Sequence, residues 1–263
     1  MRGAVCISAG SFFSLAASII MVFAHIGQIN TSAIPRVLSM IKIDVNGLGT
    51  GISAASPSTS VSGLYANTTS LGQLGSEGGL RQSYRWGLLN SAGYTDGTFG
   101  TANSSHFGLR FKPFEAILSD VPSSLQSAVS SAVPSSTFTD GGYTGRYSIA
   151  AFYIIFIGSC LAFLTFLFGV VPQQWFQAFA ALLSTISALA LAVGAAIWTA
   201  LWAKIKTVNG VTVGSGSGTN LGIRVVFGNG IILTWVAFGV MLFAIIPYFV
   251  SFRALRRDWW ATR

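Results

Sequence analysis

Charge is what this chain has least of. Asp, Glu, Lys and Arg make up 8% of it, against about a quarter in an ordinary globular domain. From Tyr147 to Ala203, 57 consecutive residues include no charged side chain and no histidine, where one membrane helix needs only about 20 apolar residues. A soluble helix of that length would show a polar face. Cysteine is nearly absent too. Cys6 and Cys160 are the two present, both inside apolar segments, so the polar regions hold no disulfide.

Chemistry-bearing clusters are also missing. His25 and His106 have no cysteine or carboxylate at metal-ligand spacing. Glu115 and Asp120 stand five positions apart, on different helix faces, and read as solvated surface rather than an acid–base pair. No phosphate loop, nucleophile elbow or zinc motif occurs. The sequence therefore assigns no catalytic, cofactor-binding or metal residue, and it reads as a non-enzyme. The apolar runs carry no ionisable residue of the kind that marks an ion or proton path. The formal charge is +8, but the basic residues are thinly spread outside the apolar runs. With no aromatic-interleaved basic stripe, nucleic acid is not the expected partner.

What is present is apolar length. The chain is 52% hydrophobic with a mean hydropathy of +0.64, which marks an integral membrane protein. Val171-Pro172-Gln173-Gln174 splits the long run into a helical hairpin, with spans over 147–171 and 172–203. An earlier span covers 1–29. Its rival reading is a cleaved signal peptide ending near Val22-Phe23-Ala24, but Ala4 to Ile26 is longer than a signal h-region and favours the helix. A last span covers 228–252, with Pro247 expected to kink it. Small residues recur every four positions at Gly10, Ser14 and Ser18, and again at Ala180, Ser184, Ala188, Ala192, Ala196 and Ala200. Such rows let helices approach closely in lipid.

Between the first two spans lies a polar region, 30–146. Ile41, Ile43 and Val45 alternate with Lys42 and Asp44 as a half-buried strand does, and Tyr84, Trp86 and Leu88 alternate likewise. Phe107, Leu109 and Phe111 suggest a further strand. The Gly- and Ser-rich 46–80 reads as a flexible loop. From Pro113 the period becomes helical, with Pro122 starting a second helix or kinking the first. Three N-glycosylation sequons, at Asn30, Asn67 and Asn103, all fall here and indicate an extracytoplasmic location; Asn30 lies close to the membrane. A second loop, 204–227, carries a hairpin signal at Asn209-Gly210 and a glycine-rich tip at 214–218. The tail, 253–263, sets Arg253, Arg256 and Arg257 beside Trp259 and Trp260, a pattern that suits anionic lipid headgroups on a cytoplasmic leaflet. Basic residues flank the spans on both sides, so charge alone leaves the orientation open. The long sequon-bearing loop and the tight Pro172 turn place both termini inside.

Order and spacing carry a resemblance. A first span is followed by Ile41-Lys42-Ile43-Asp44-Val45, then Tyr84-Arg85-Trp86-Gly87-Leu88-Leu89, then Phe111-Lys112-Pro113-Phe114-Glu115-Ala116-Ile117-Leu118, then three spans. This resembles the fungal Sur/PalI tetraspan family from about Ala4 to Phe252, with Trp86, Gly87 and Leu88 as its loop motif. The resemblance implies a claudin-like plasma-membrane tetraspan of cortical patches, called eisosomes, or of ambient-pH signalling. Family loops often carry a cysteine-containing motif after the tryptophan-glycine-aliphatic segment, whereas Asn90 to Tyr94 here contains none. A tail of about eleven residues fits the cortical-patch branch better than the long-tailed signalling branch. The expectation is an all-α membrane protein: a four-transmembrane-helix bundle with a small β-containing extracellular module from the first loop, supplemented by the second. It would be a non-enzymatic organiser of plasma-membrane domains, with membrane lipids and membrane-protein or cell-wall partners. The alternative is an accessory subunit, or a trafficking or pH-signalling helper, of a larger membrane protein.

Overall fold

A computed structural model describes residues 2–67, 72–103, 107–214 and 218–261, with side chains described for 5–256 of these. The chain forms two compact units. One holds residues 1–24, 150–196 and 232–263; the other holds 25–149 and 197–231.

The first unit is helical. Four helices run through it: α1 (Arg2–Ile26), α6 (Gly141–Gly169), α7 (Gln174–Ile205) and α8 (Asn229–Ala261). All four are long and apolar enough to cross a membrane. Each buries a stripe whose steps alternate between three and four residues. In α1 the stripe is Gly10, Ser14, Ala17, Met21 and Ala24; in α6 it is Ala151, Ile155, Gly158, Ala162, Thr165 and Gly169. In α7 it is Gln177, Ala180, Ser184, Ser187, Leu191 and Gly194; in α8 it is Thr234, Ala237, Met241, Ala244, Tyr248 and Ser251. Alternating steps average 3.5 residues, slightly under the helical 3.6, which is the repeat of left-handed bundles.

Small side chains dominate these stripes because lipid gives apolar helices no reason to associate except close fit. A Cβ on Gly10 would come within 2.7 Å of the Tyr248 ring, and one on Gly194 would collide with Ile155. Hydroxyls then bridge helices. Ser14 Oγ and Tyr248 Oη share a 2.8 Å hydrogen bond. Ser187 donates to the Gly158 carbonyl at 2.7 Å and Ser184 to that of Met241 at 3.0 Å.

The four-residue row on α7 leaves this stripe before its end. A step of four turns about 400° around a helix of 3.6 residues per turn, so each step drifts about 40°. Ala180, Ser184 and Ala188 are accordingly buried, Ala192 is half-buried, and Ala196 and Ala200 are exposed. On α1 the same drift makes Ala17 the next buried position after Ser14, with Ser18 buried beside it. The α8 helix runs on through Pro247 without a break.

The second unit is a mixed module. Its five-stranded antiparallel sheet has the order β4-β3-β2-β1-β7. These are β1 (Ile41–Asp44), β2 (Ser83–Trp86), β3 (Ser91–Thr95), β4 (Phe99–Ala102) and β7 (Arg224–Phe227). A two-stranded ribbon pairs β5 (Thr212–Val213) with β6 (Thr219–Asn220). Short helices complete it: α2 (Ala33–Val37), α3 (Leu48–Ala55), α4 (Pro113–Asp120) and α5 (Ser123–Ala132). Three local expectations are corrected. Part of the loop over 46–80 is helical, as α3. No strand forms around Phe111; the fourth strand lies earlier, at β4. Asn209-Gly210 ends a 3-10 turn, Lys206–Gly210, instead of turning a hairpin.

The stripe predicts two graded effects in detergent-solubilised protein. Tyr248→Phe loses the Ser14 bond and should lower stability by about 0.6 kcal/mol, the average for interhelical hydrogen bonds in membranes, and by no more than about 1.7 kcal/mol. Gly10→Leu, which drives a side chain into the Tyr248 ring, should lower the thermal midpoint more than Tyr248→Phe does. Equal midpoints for Gly10→Leu and the parent would contradict this packing.

Candidate functional site

The module is built around β1. Ile41 and Ile43 are fully buried. Lys42 and Asp44 alternate with them on the opposite face, only part-buried. On one side β1 pairs with β2, Ile41 opposite Trp86; on the other it pairs with β7, Ile41 opposite Phe227. Trp86 stacks near Tyr84 and meets Phe111 edge-on at 5.2 Å between ring centroids; Phe111 in turn meets Trp198 at 5.7 Å. Phe111 is thus a core residue, which its alternation disguised as a strand.

The Trp86-Gly87-Leu88 segment turns inward. Leu88 is buried. Gly87 faces the Gly27 backbone so closely that any Cβ there would overlap the Gly27 carbonyl. Its N–H donates to the Asn90 carbonyl at 2.8 Å. Asn90, fully buried, donates to the Asn103 carbonyl at 2.8 Å. Hydrogen bonds therefore hold the segment from Asn90 to Tyr94, which has no cysteine.

Gln28 is the residue whose role the sequence hid. It lies just past α1 with φ +62° and is fully buried. Its amide nitrogen donates to the carbonyls of Pro35, Arg36 and Leu38 at 2.8–2.9 Å. Its amide oxygen accepts from the Tyr94 hydroxyl at 2.9 Å. One side chain thus fastens the chain leaving the first span to both α2 and β3. Asn209 does comparable work at the sheet edge. Its carboxamide accepts from the Val225 N–H at 2.7 Å and donates to the Val225 carbonyl at 3.1 Å, covering the outer side of β7.

Asp120 corrects the sequence reading most sharply. It is not solvated but 1% exposed. Oδ2 accepts from the Tyr84 hydroxyl at 2.7 Å and Oδ1 from the Gly75 N–H at 2.6 Å. The Arg81 N–H donates to the Tyr84 oxygen at 3.1 Å, and the buried Arg81 guanidinium reaches the Gly72 carbonyl at 2.7 Å. Burial pushes the Asp120 carboxyl above the usual carboxylate range, against the smaller opposing pull of Tyr84, Gly75 and Arg81. Burial, then the Asp120 charge, pushes Tyr84 well above the usual phenol range. Glu115, by contrast, is exposed and pairs with Lys112 at 2.8 Å. The cluster locks 72–81 onto the end of α4. Among the described residues, no group of three His, Cys, Asp or Glu could hold a metal ion.

The other sequence-derived positions are scattered. Asn30 is exposed, and its side-chain oxygen accepts from the Ser32 N–H at 3.0 Å. Asn67 is exposed and Asn103 half-buried, while the hydroxyl residues of both their sequons lie outside the described residues. Arg253 and Arg256 are exposed, Arg253 lying over the Phe249 ring at 4.7 Å. The side chains of Arg257, Trp259 and Trp260 lie outside the described residues.

The SUR7/PalI family model matches residues 6–247, nearly the whole arrangement of four spans and sheet. The chain belongs to the SUR7/PalI family. No curated protein and no solved structure matches it. Within the family frame, the tryptophan-glycine-leucine segment is a packing element of the module.

The buried carboxyl sets a pH dependence. Folding raises the Asp120 pKa, so the folded state holds that proton more tightly than the unfolded one. Asp120 therefore adds stability as pH falls toward the ordinary carboxylate range, and that gain is lost as pH rises through the raised value. The stability difference between the parent and Asp120→Asn should shift in favour of the parent on acidification, read by tryptophan fluorescence during denaturation. A flat difference would contradict it. Tyr84→Phe strips Asp120 Oδ2 of its donor and should cost about 1–3 kcal/mol at neutral pH.

Proposed function

We propose that this multi-pass protein is a non-enzymatic organiser of plasma-membrane domains, of the cortical-patch or eisosome type, linked to cell-wall or cortical architecture. The observation that supports this reading best is the chemistry of the helical unit. No Asp, Glu, Lys, Arg or His is buried in it among the described residues. Its outward faces carry large apolar side chains such as Phe12, Ile157, Phe163, Leu189 and Phe243. Helices of this kind fit one another and the lipid; they offer no charged path for a solute.

In this reading both termini are cytoplasmic. The module made from the two loops stands outside, with Asn30, Asn67 and Asn103 as acceptor sites and wall polymer or a partner ectodomain as its contact. Arg253, Arg256 and Arg257, with Trp259 and Trp260, engage anionic lipid of the inner leaflet. Each basic residue held near such a surface contributes about 1 kcal/mol. Replacing Arg253, Arg256 and Arg257 together by glutamine should therefore weaken recruitment to anionic domains. The test is live imaging of the protein tagged at its C-terminus, with recovery after bleaching. Stable, immobile surface patches that become diffuse in the triple variant are expected. A mobile or internal signal in the parent would overturn the organiser role, and an unchanged distribution of the variant would remove the tail from it.

A further inference from the structure

A cleft of about 440 Å³ opens in the second unit, lined by Ser135, Ser136, Thr137, Thr139, Asp140, Tyr143 and Lys204. Its walls come from the two ends of chain that border apolar spans. Asp140 immediately precedes α6, and Lys204 lies in the last turn of α7. We propose that this cleft binds the headgroup of a zwitterionic phospholipid, with the phosphate at Lys204 and the hydroxyls and the amine at Asp140.

The charges in the cleft are one of each sign. The ion pairs among the described residues are Lys42–Asp44 and Lys112–Glu115, so neither Lys204 nor Asp140 is neutralised by a salt bridge. Lys204 lies instead over the Tyr143 ring, its Nζ 4.7 Å from the centroid, a contact that leaves its charge uncancelled. Asp140 is exposed and uses Oδ1 to cap the Tyr143 N–H at 2.8 Å. A cleft bearing one cation and one carboxylate favours a dipolar ligand with no net charge, and it sets the carboxylate against an anionic one.

The hydroxyls supply the remaining donors. Thr139 Oγ1 is spent within the turn, accepting from the Ser136 N–H at 3.0 Å and donating to the Ser136 carbonyl at 2.9 Å. Ser136 Oγ is buried and has no partner. A buried hydroxyl without a partner is costly in a folded protein, and a phosphate oxygen would satisfy it. The turn it sits on is rigid, since the Thr139 and Asp140 N–H groups also donate to the Ser136 carbonyl.

The ligand is a lipid because of where the cleft lies. Helix ends of apolar spans are where headgroups stand, and the residues around it form an interfacial belt. Tyr147 is 45% exposed one turn further along α6, and Lys206 lies over the Trp202 ring at 4.3 Å. A soluble zwitterion would have to compete with the bilayer for the same position.

The test uses the full chain in a maltoside detergent, with thermal midpoints read after adding phosphatidylcholine, phosphatidylglycerol or diacylglycerol. Phosphatidylcholine should raise the parent midpoint clearly more than either of the others. Asp140→Asn keeps a helix-capping side chain and should erase the preference over phosphatidylglycerol. Lys204→Gln should reduce the response to both phospholipids. Lipid-free midpoints report the folding of each variant separately, and the selectivity of the parent decides the matter even if both variants fail to fold. Equal responses of the parent to all three lipids, or a stronger response to phosphatidylglycerol, would overturn the proposal. So would an unaltered lipid preference in two folded variants.

Discussion

The pairing of β1 on both its edges is the constraint from which the rest follows. One edge meets β2 from the same loop; the other meets β7, from a segment that enters the sequence after two more spans. Strands exchange backbone hydrogen bonds only in one compartment. The two loops must therefore lie on the same side of the membrane, and α6 and α7 must cross it as a hairpin. A four-residue strand thereby sets the threading of the whole chain.

A second constraint belongs to lipid. Because burial gains nothing there, helices associate through contact distance and a few bridging hydroxyls. The four stripes answer with glycine, alanine and serine at steps averaging 3.5 residues, and with isolated larger side chains such as Tyr248 filling the space opposite glycine. The same economy explains why the module relies on side-chain amides. With both cysteines inside the helices, Gln28, Asn90 and Asn209 make cross-links of the kind that many small folds entrust to disulfides.

Much of this was legible in the sequence, and the parts that were not share a cause. Uncharged length revealed the spans, and period-two alternation revealed β1 and β2, since both signals are local. The helical face after Pro113 was local as well, with Pro122 dividing α4 from α5. The α3 helix was hidden in a Gly- and Ser-rich stretch because distant groups hold it. The Tyr65 hydroxyl accepts from the Gly49 N–H at 3.0 Å and donates to the Val45 carbonyl at 2.8 Å. Asp120 looked like surface because the tyrosine that buries it lies 36 positions earlier. Asn209-Gly210 carried a turn signal, but Asn209 is occupied by Val225 in another strand. The four-residue rows were real in composition yet imperfect as a map of packing, because a helix turns every 3.6 residues rather than every four.

The measurement that bears most directly on this account is a cross-link between the loops. In a background with Cys6 and Cys160 replaced by alanine, Lys42→Cys and Val226→Cys occupy directly opposed positions of β1 and β7. A protease site placed in the glycine-rich segment 214–218 then cuts between them. After treatment of isolated membranes with a membrane-permeant oxidant, the account predicts that the two fragments stay joined until reduced. Pairing Val226→Cys with Gln173→Cys, in the turn between α6 and α7, should leave them separate. Fragments that part in the first case, or remain joined in the second, would contradict the shared sheet and the threading drawn from it.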